Sequence, residues 1–222
     1  FEKKYFKYHG IKTTFIGHPI YHIPKRHPKK NIYLSFLFGS RYNEINKLFE
    51  YFNFIEAYIS ANNLKWKIFI PTLPHLYNYI KDKTKLWKTD TLIVKEIDDF
   101  DKYYDEVFLS ITCSGTASLE IAKRNIPQIV IYKLNFLTEL ILKLFVNIRK
   151  ANILNIISNK LIIPEILNSN LTKEKIFINF IKLLNDSNLR YKQVRDVQNC
   201  LPNIETNQSP YELSVKRIMS LL

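Results

Sequence analysis

Between residues 44 and 62 the apolar side chains fall at Ile45, Leu48, Phe49, Phe52, Ile55 and Ile59. That 3.6-residue period predicts an amphipathic helix. The stretch before it, 31–38, is a nearly continuous apolar run of β-forming residues closed by Gly39-Ser40-Arg41. Together they read as strand, tight turn, helix. The alternation continues down the chain. Strands are predicted over 66–70, 91–94, 107–112 and 127–132, and helices over 71–83 (after a loop), 98–104, 114–124 and 136–148. The helix at 114–124 opens on Ser114 as its cap. A last short strand is predicted at 153–156, and helices at 172–184, 189–200 and 211–222, with a loop at 205–209.

Strands that alternate with helices of this length form βαβ units, and βαβ units build a parallel sheet covered on both faces. Short, uniformly apolar strands such as Ile129-Val130-Ile131 fit burial on both sides. The predicted class is therefore α/β, a Rossmann-like parallel sheet flanked by helices. Ahead of it, 13–17 reads as a short strand ending in a turn at Gly17, and 21–30 as a polar, Pro-containing linker or hinge. The organisation expected is a preceding segment over 1–30, the Rossmann-like layer over 31–186 and C-terminal helices over 187–222.

Composition changes this picture little. The 222 residues and 46% apolar content suit a globular chain with a sizeable core. The longest apolar run, 136–148, is interrupted by Glu139 and Lys143, so no spanning helix is predicted. No signal-peptide pattern is present, and the chain opens on Phe1 rather than Met, which suits a piece of something longer. The net charge of +13 would ordinarily point to nucleic acid or an anionic surface. Here Lys supplies 26 of the 33 cations and is scattered, while Ile, Lys, Asn, Phe and Tyr make up 107 of 222 residues. That is the signature of an AT-rich genome, so nucleic acid is not expected as a partner. Cys113 and Cys200 fit no metal or redox spacing and read as reduced thiols.

The four glycines carry more information, because a composition this poor in Gly keeps them where a side chain cannot fit. Two fall at predicted strand ends, where open parallel sheets bind ligands. Gly39-Ser40-Arg41 offers backbone amides at a helix start and a guanidinium whose planar fork suits phosphate. A plain strand-to-helix turn with a surface Arg is the competing reading. Ser114-Gly115-Thr116 offers short donors at a second helix start, with Glu120 one to two turns in. A carboxylate there can accept from both hydroxyls of a ribose; an ordinary cap with a solvated Glu reads the same residues equally well. No Gly-x-Ser-x-Gly elbow is present, and the Ser-x-Gly-Thr run lacks the lysine of a Walker loop. His18, His22 and His27 match no zinc spacing, so no metal is expected. His18, after Gly17, is read as a hinge or pocket residue.

In order along the chain stand Phe15-Ile16-Gly17-His18-Pro19, Leu37-Phe38-Gly39-Ser40-Arg41 with Glu44-Ile45, Ser114 through Glu120, Pro127 through Lys133, Asn155-Ile156-Ile157 and Pro164-Glu165. This ordered set resembles the C-terminal, donor-binding half of the lipid-A-disaccharide synthases, glycosyltransferases of the GT-B type. The resemblance implies transfer from UDP-2,3-diacylglucosamine to 2,3-diacylglucosamine 1-phosphate, giving a β-1,6 disaccharide and UDP. It implies no cofactor and no obligatory metal, and work on the cytoplasmic face of the inner membrane of a Gram-negative bacterium. It assigns the UDP-sugar to Gly39, Ser40, Arg41, Ser114, Gly115, Thr116, Glu120, Tyr132, Lys133 and Asn155. The acceptor site and general base are expected on an N-terminal half that this sequence does not contain. A homodimer is left open. The family usually has Pro at Phe38, Ala at Cys113, Pro at Leu154 and Gln at Asn168, all expected near the pocket.

Three other readings remain at this stage. One is a different UDP-sugar enzyme of the same architecture, such as an epimerase. Another is a catalytically dead remnant. The third, a basic module for nucleic acid or anionic lipid, lacks any aromatic-basic motif. The lipid substrates that the resemblance implies also imply some membrane-surface association; 136–150, where Phe136, Leu140 and Leu144 adjoin Lys143, Arg149 and Lys150, offers a segment for it, although an ordinary core-facing helix is the favoured reading of that stretch.

Overall fold

In a computed structural model of the chain, residues 3–27, 29–96, 99–113, 115–134 and 150–220 are described. Six strands form one sheet: β1 (Tyr33–Leu37), β2 (Lys67–Pro71), β3 (Thr91–Val94), β4 (Val107–Cys113), β5 (Gln128–Tyr132) and β6 (Glu165–Leu167). Their order is β3-β2-β1-β4-β5-β6 and every pairing is parallel. The chain builds outward from β1 in one direction, then returns to build outward from β4 in the other. The switch point of this doubly wound sheet therefore lies between β1 and β4.

The helices follow from how side chains alternate across the strands. Phe36, Ile68, Ile70, Ile111, Ile129 and Ile131 point to one face, where they meet α2 (Tyr42–Ala61) through Ile45, Leu48, Phe52, Ile55 and Ile59. α3 (Tyr77–Thr84) and a later helix, Lys173–Asn185, complete that layer through Ile80, Ile176, Phe180 and Leu183. Leu37, Phe69, Val107 and Val130 point the other way, onto α4 (Phe100–Tyr104) and α5 (Thr116–Lys123). In chain order the remaining helices are α1 (Lys3–Tyr8), α6 (Ile153–Ser158), α7 (the Lys173–Asn185 helix), α8 (Ser187–Cys200) and α9 (Pro210–Met219).

A buried polar chain locks this second layer. Thr112 Oγ1 donates to Gln128 Oε1 (3.1 Å), Gln128 Nε2 donates to the Ser118 carbonyl (2.8 Å), and Asn152 Nδ2 donates to Ser118 Oγ (2.8 Å). The Gln193 amide on α8 pairs with the Gln128 backbone, accepting from its N–H (2.6 Å) and donating to its carbonyl (3.0 Å). Buried polar groups joined this completely fix the packing of α8 on the sheet. α8 thus shares one core with the Rossmann-like layer. So does the 19–24 connector, whose Ile20 and Ile23 are buried beside Val197, Cys200 and Ile204.

Three elements differ from expectation. The helix expected to open on Ser114 as its cap begins at Thr116, with Gly115 in the N-cap position. Residues 13–17 are not a strand; they find no ladder partner, and the chain is held instead by the His18 N–H donating to the Ile204 carbonyl (2.8 Å). Residues 153–156 are not the last strand but the start of α6. Asn152 decides this: its side chain accepts from the Leu154 and Asn155 N–H groups and caps a helix there. The last strand is β6, which begins only at Glu165. The helix expected over 136–148, and the membrane contact drawn from it, lie outside the described residues. Among the described residues no helix is long and apolar enough to cross a membrane.

Both thiols are buried, Cys113 and Cys200 each at 5% exposure. Burial pushes the Cys113 thiol up to about 12 and raises Cys200 in the same direction. Neither is a thiolate at neutral pH. A disulfide reagent at about pH 7.5, a unit below the free-thiol value, is expected to label neither in the native protein and both in denaturant. Rapid native labelling of Cys113 would contradict its placement.

Candidate functional site

An open cleft of about 720 Å³ lies outside the carboxyl ends of β1, β2 and β4, at the switch point. Because β1 and β4 are neighbours, the bends that follow them come side by side. Gly39, Ser40 and Arg41 line the cleft from the first bend; Gly115 and Thr116 line it from the second, with Glu120 on the helix that bend starts. Ser114 lies outside the described residues.

The two glycines have positive φ for different reasons. At Gly39 (φ +108°) an added Cβ would stand 2.6 Å from Glu44 Oε2 and 3.1 Å from Glu44 Cβ. The Glu44 carboxylate folds back over the bend: Oε2 accepts from the Ser40 N–H (3.0 Å) and Oε1 from Arg41 Nη1 (3.0 Å). Arg41 is the N-cap residue of α2 and makes no side-chain cap of its own. Glu44, third in the helix, reaches back as the acid of a capping box does. The first bend thus already holds a carboxylate on its amide and its guanidinium. At Gly115 (φ +122°) nothing stands within 4 Å of an added Cβ, and this N-cap residue, having no side chain, makes no side-chain cap of α5. The second bend opens a helix N-terminus directly to the cleft, where its partial positive charge favours an anion.

One wall combines α4, α5 and the connector. Glu120 is half-buried there, and loss of solvent lifts its carboxyl above the usual range, against the pull of Arg124 and His22. Arg124 is 7% exposed. Its Nη2 donates to Asp101 Oδ1 (2.5 Å), its Nη1 to the Glu120 carbonyl (3.4 Å), and its guanidinium lies 4.5 Å from the Tyr104 ring centre. Cys113 and Thr72 also line the cleft. The chemistry available is anion binding by amides, a helix end and one guanidinium, beside a carboxylate able to accept from vicinal hydroxyls.

The remaining sequence-predicted residues sit elsewhere. Tyr132 ends β5, one strand further out, Lys133 follows it, and neither lines the cleft. Lys133 Nζ instead meets Tyr51 Oη (3.2 Å) and Glu50 Oε1 (3.5 Å). Asn155 is wholly buried in α6. Its Oδ1 accepts from the Ile162 (2.8 Å) and Ile163 (3.0 Å) N–H groups, and its Nδ2 donates to the Ile163 carbonyl (2.8 Å) and to Glu165. That side chain has no capacity left for a ligand. His18 caps a short turn through Nδ1, which accepts from the Ile20 N–H (3.3 Å), and burial lowers its pKa. At Gly17 (φ +84°) an added Cβ would meet Thr206 Oγ1 at 2.6 Å, so this glycine admits the C-terminal segment, not the cleft. Of the four departures quoted above, Cys113 lines the cleft; Phe38 and Leu154 are core residues.

Asp101 and Arg124 escaped the sequence reading, and His22 was weighed there only as a metal ligand. Arg124 stands four residues after Glu120, a spacing that places both on one helix face. Asp101 and His22 carried no such signal, because only the folded chain brings α4 and the connector to that wall. Among the described residues no group of three His, Cys, Asp or Glu could hold a metal ion.

Comparison with known proteins gives the same architecture. WaaG, a glycosyltransferase involved in lipopolysaccharide biosynthesis, superposes with TM-score 0.55 at 12% identity, over 96% of this chain and 49% of WaaG. The S. aureus MnaA–UDP structure superposes with TM-score 0.53 at 15% identity, over 98% of this chain and 52% of that one. Likeness at this identity shows the fold, half of the GT-B arrangement. In sequence, a lipid-A-disaccharide synthase of Rickettsia felis is 31% identical over 233 residues, covering 98% of this chain and 59% of the relative. The chain spans about half the length of the curated relatives it matches. The family model for lipid-A-disaccharide synthetase matches residues 1–218, and the chain belongs to that family.

Proposed function

We propose that this chain is the donor-binding half of a lipid-A-disaccharide synthase. The donor is UDP-2,3-diacylglucosamine, the acceptor 2,3-diacylglucosamine 1-phosphate, and the products a β-1,6 disaccharide and UDP. The observation that carries this reading is the meeting of the Gly39 and Gly115 bends in one cleft at the switch point, with Glu120 beside them. The pyrophosphate lies against the open Gly115–Thr116 end of α5, with Arg41 turning to it from Glu44. Ser114, between Cys113 and Gly115, joins that set by position. Glu120 accepts from the ribose hydroxyls. Support for the nucleotide comes from S. aureus MnaA, which shares the fold and was solved with UDP.

As the anomeric carbon–oxygen bond breaks, negative charge grows on the diphosphate. Preorganised amides, the helix end and a guanidinium stabilise that charge without reorganising. The acceptor hydroxyl must lose a proton as it attacks, and this reading places that base, and the acceptor, on the half of the relatives' length that the chain does not span. Both substrates are lipids, so the reading also places the protein at the cytoplasmic surface of the inner membrane of a Gram-negative bacterium. Tyr132, Lys133 and Asn155 are left out of the contact set on the geometry above.

Amide hydrogen exchange tests the location. Saturating UDP is expected to slow exchange at 39–45 and 115–120 and leave 153–163 unchanged. Protection at 153–163 instead, or nowhere, would overturn the assignment.

A further inference from the structure

Just outside the cleft, on the α2–α3 side, stands an aromatic rim. Tyr42 is the first residue of α2 and follows Arg41, which lines the cleft. Its hydroxyl donates to the His75 carbonyl (3.0 Å). Its ring meets Tyr79 of α3 nearly edge-on with centres 4.9 Å apart, and the His75 ring at 6.2 Å. His75 comes two residues after Leu73, another lining residue. Tyr42 and His75 thus bridge the two lining segments, 39–41 and 71–73, where they leave the cleft.

The rim is apolar and held still. Although its ring and hydroxyl are both fixed, Tyr42 keeps 48% of its surface exposed. Pro74 is exposed beside His75, and Leu73 is half-buried. The hydroxyl protons are already spent, that of Tyr42 on the His75 carbonyl and that of Tyr79 on Asn46 Oδ1. Lys83 lies over the Tyr79 ring, 5.1 Å from its centre. An exposed aromatic surface whose hydroxyls are engaged elsewhere offers contact area and few hydrogen bonds, so it suits hydrocarbon better than a hydroxylated sugar. Because the ring is fixed before anything binds, little further ordering is needed on contact.

We propose that this rim, centred on Tyr42, seats an acyl chain of the donor, and that Tyr42 selects the acylated nucleotide sugar over the bare nucleotide. This rests on the donor-site reading. α2 and α3 cover one face of the sheet, α4 and α5 the other. With the pyrophosphate on Thr116 and Arg41 between them, the ribose at Glu120 lies on the α4–α5 side. The group carried by the far phosphate leaves past Arg41, and the next surface it meets is the Tyr42 ring.

Calorimetry of the folded chain with three ligands tests this: UDP, UDP-glucosamine, and UDP-2,3-diacylglucosamine with acyl chains short enough to stay monomeric. Tyr42→Ala is expected to weaken binding of the acylated ligand about fivefold, the worth of a ring face no longer covered, and to leave UDP and UDP-glucosamine within about twofold. Tyr42→Phe keeps the ring and drops only the bond to His75, so all three affinities are expected within about twofold of the unsubstituted chain. The UDP affinity of each variant reports that its cleft is intact. Equal loss for all three ligands in Tyr42→Ala would make the ring a structural prop and overturn the proposal. So would an unweakened acylated ligand, or a loss shared with UDP-glucosamine, which would put the sugar on the ring instead of the chain. An unsubstituted chain that binds none of the three ligands would sink the donor-site reading itself.

Discussion

Gly39→Ala is expected to lower folding stability by about 2–4 kcal/mol and to weaken UDP binding at least ~10-fold. Two causes add. Alanine at φ +108° costs about 1–3 kcal/mol in backbone strain. Its methyl also meets Glu44, and although the carboxylate could swing aside, the Glu44 Cβ at 3.1 Å cannot without moving α2. If the carboxylate leaves, the Ser40 amide and Arg41 lose the partner that shapes the bend. Gly115→Ala separates the causes. It carries comparable strain but meets nothing, so its stability loss is expected to be smaller by about 1 kcal/mol, the worth of the hydrogen bonds spared. Thermal melts give the stabilities, and calorimetry of the folded variants at low temperature gives the affinities. Equal losses at the two glycines would show that the Glu44 contact does not matter.

Asn155→Ala is expected to be more damaging to folding and nearly silent in binding. Removing the side chain leaves two N–H donors and a carbonyl of the 162–163 turn without partners in a buried place, and strips one partner from Glu165. Glu165 itself holds the start of α6 by accepting from the Ala151 (2.7 Å) and Asn152 (2.9 Å) N–H groups. Unpaired buried groups cost about 1–3 kcal/mol each before relaxation, so a net loss of about 3–5 kcal/mol is expected. That is a large share of the ~5–15 kcal/mol that holds an ordinary domain. UDP affinity of the folded fraction is expected to stay within about twofold, a change below 0.5 kcal/mol. A stable Asn155→Ala protein with lost UDP binding would return this residue to the donor site.

The contrast shows where the sequence was readable. The strand–turn–helix at 31–62 was legible because burial on both sheet faces, a bend glycine and a 3.6 period all point the same way there. The adjacency of the two glycine bends was not legible in the alternation of elements, because it depends on β1 and β4 being neighbours, which βαβ order alone does not fix. What failed was local competition. Residues 153–156 are apolar enough to read as a strand, but Asn152 offers a helix cap that three apolar residues cannot outvote. Asn155 sat in a stretch that resembles a family segment near the donor pocket, and resemblance carried its place in the chain without its orientation. Glu44 appeared in the quoted motif yet not as a partner of Ser40 and Arg41, because a side chain folding back on its own turn leaves no trace in spacing that a simple helix face would not also leave. Arg124 was readable in principle from its distance to Glu120; Asp101, arriving from another βα unit, was not.

The central claim is that the two glycine bends and Glu120 form one nucleotide site. Calorimetric titration of the folded chain with UDP tests it most directly, alone and with Arg41→Ala and Glu120→Ala. One saturable site is expected, weakened about tenfold or more by either substitution, as loss of a charged hydrogen-bonding partner implies. Absence of binding at millimolar UDP, or binding that neither substitution weakens, would contradict it.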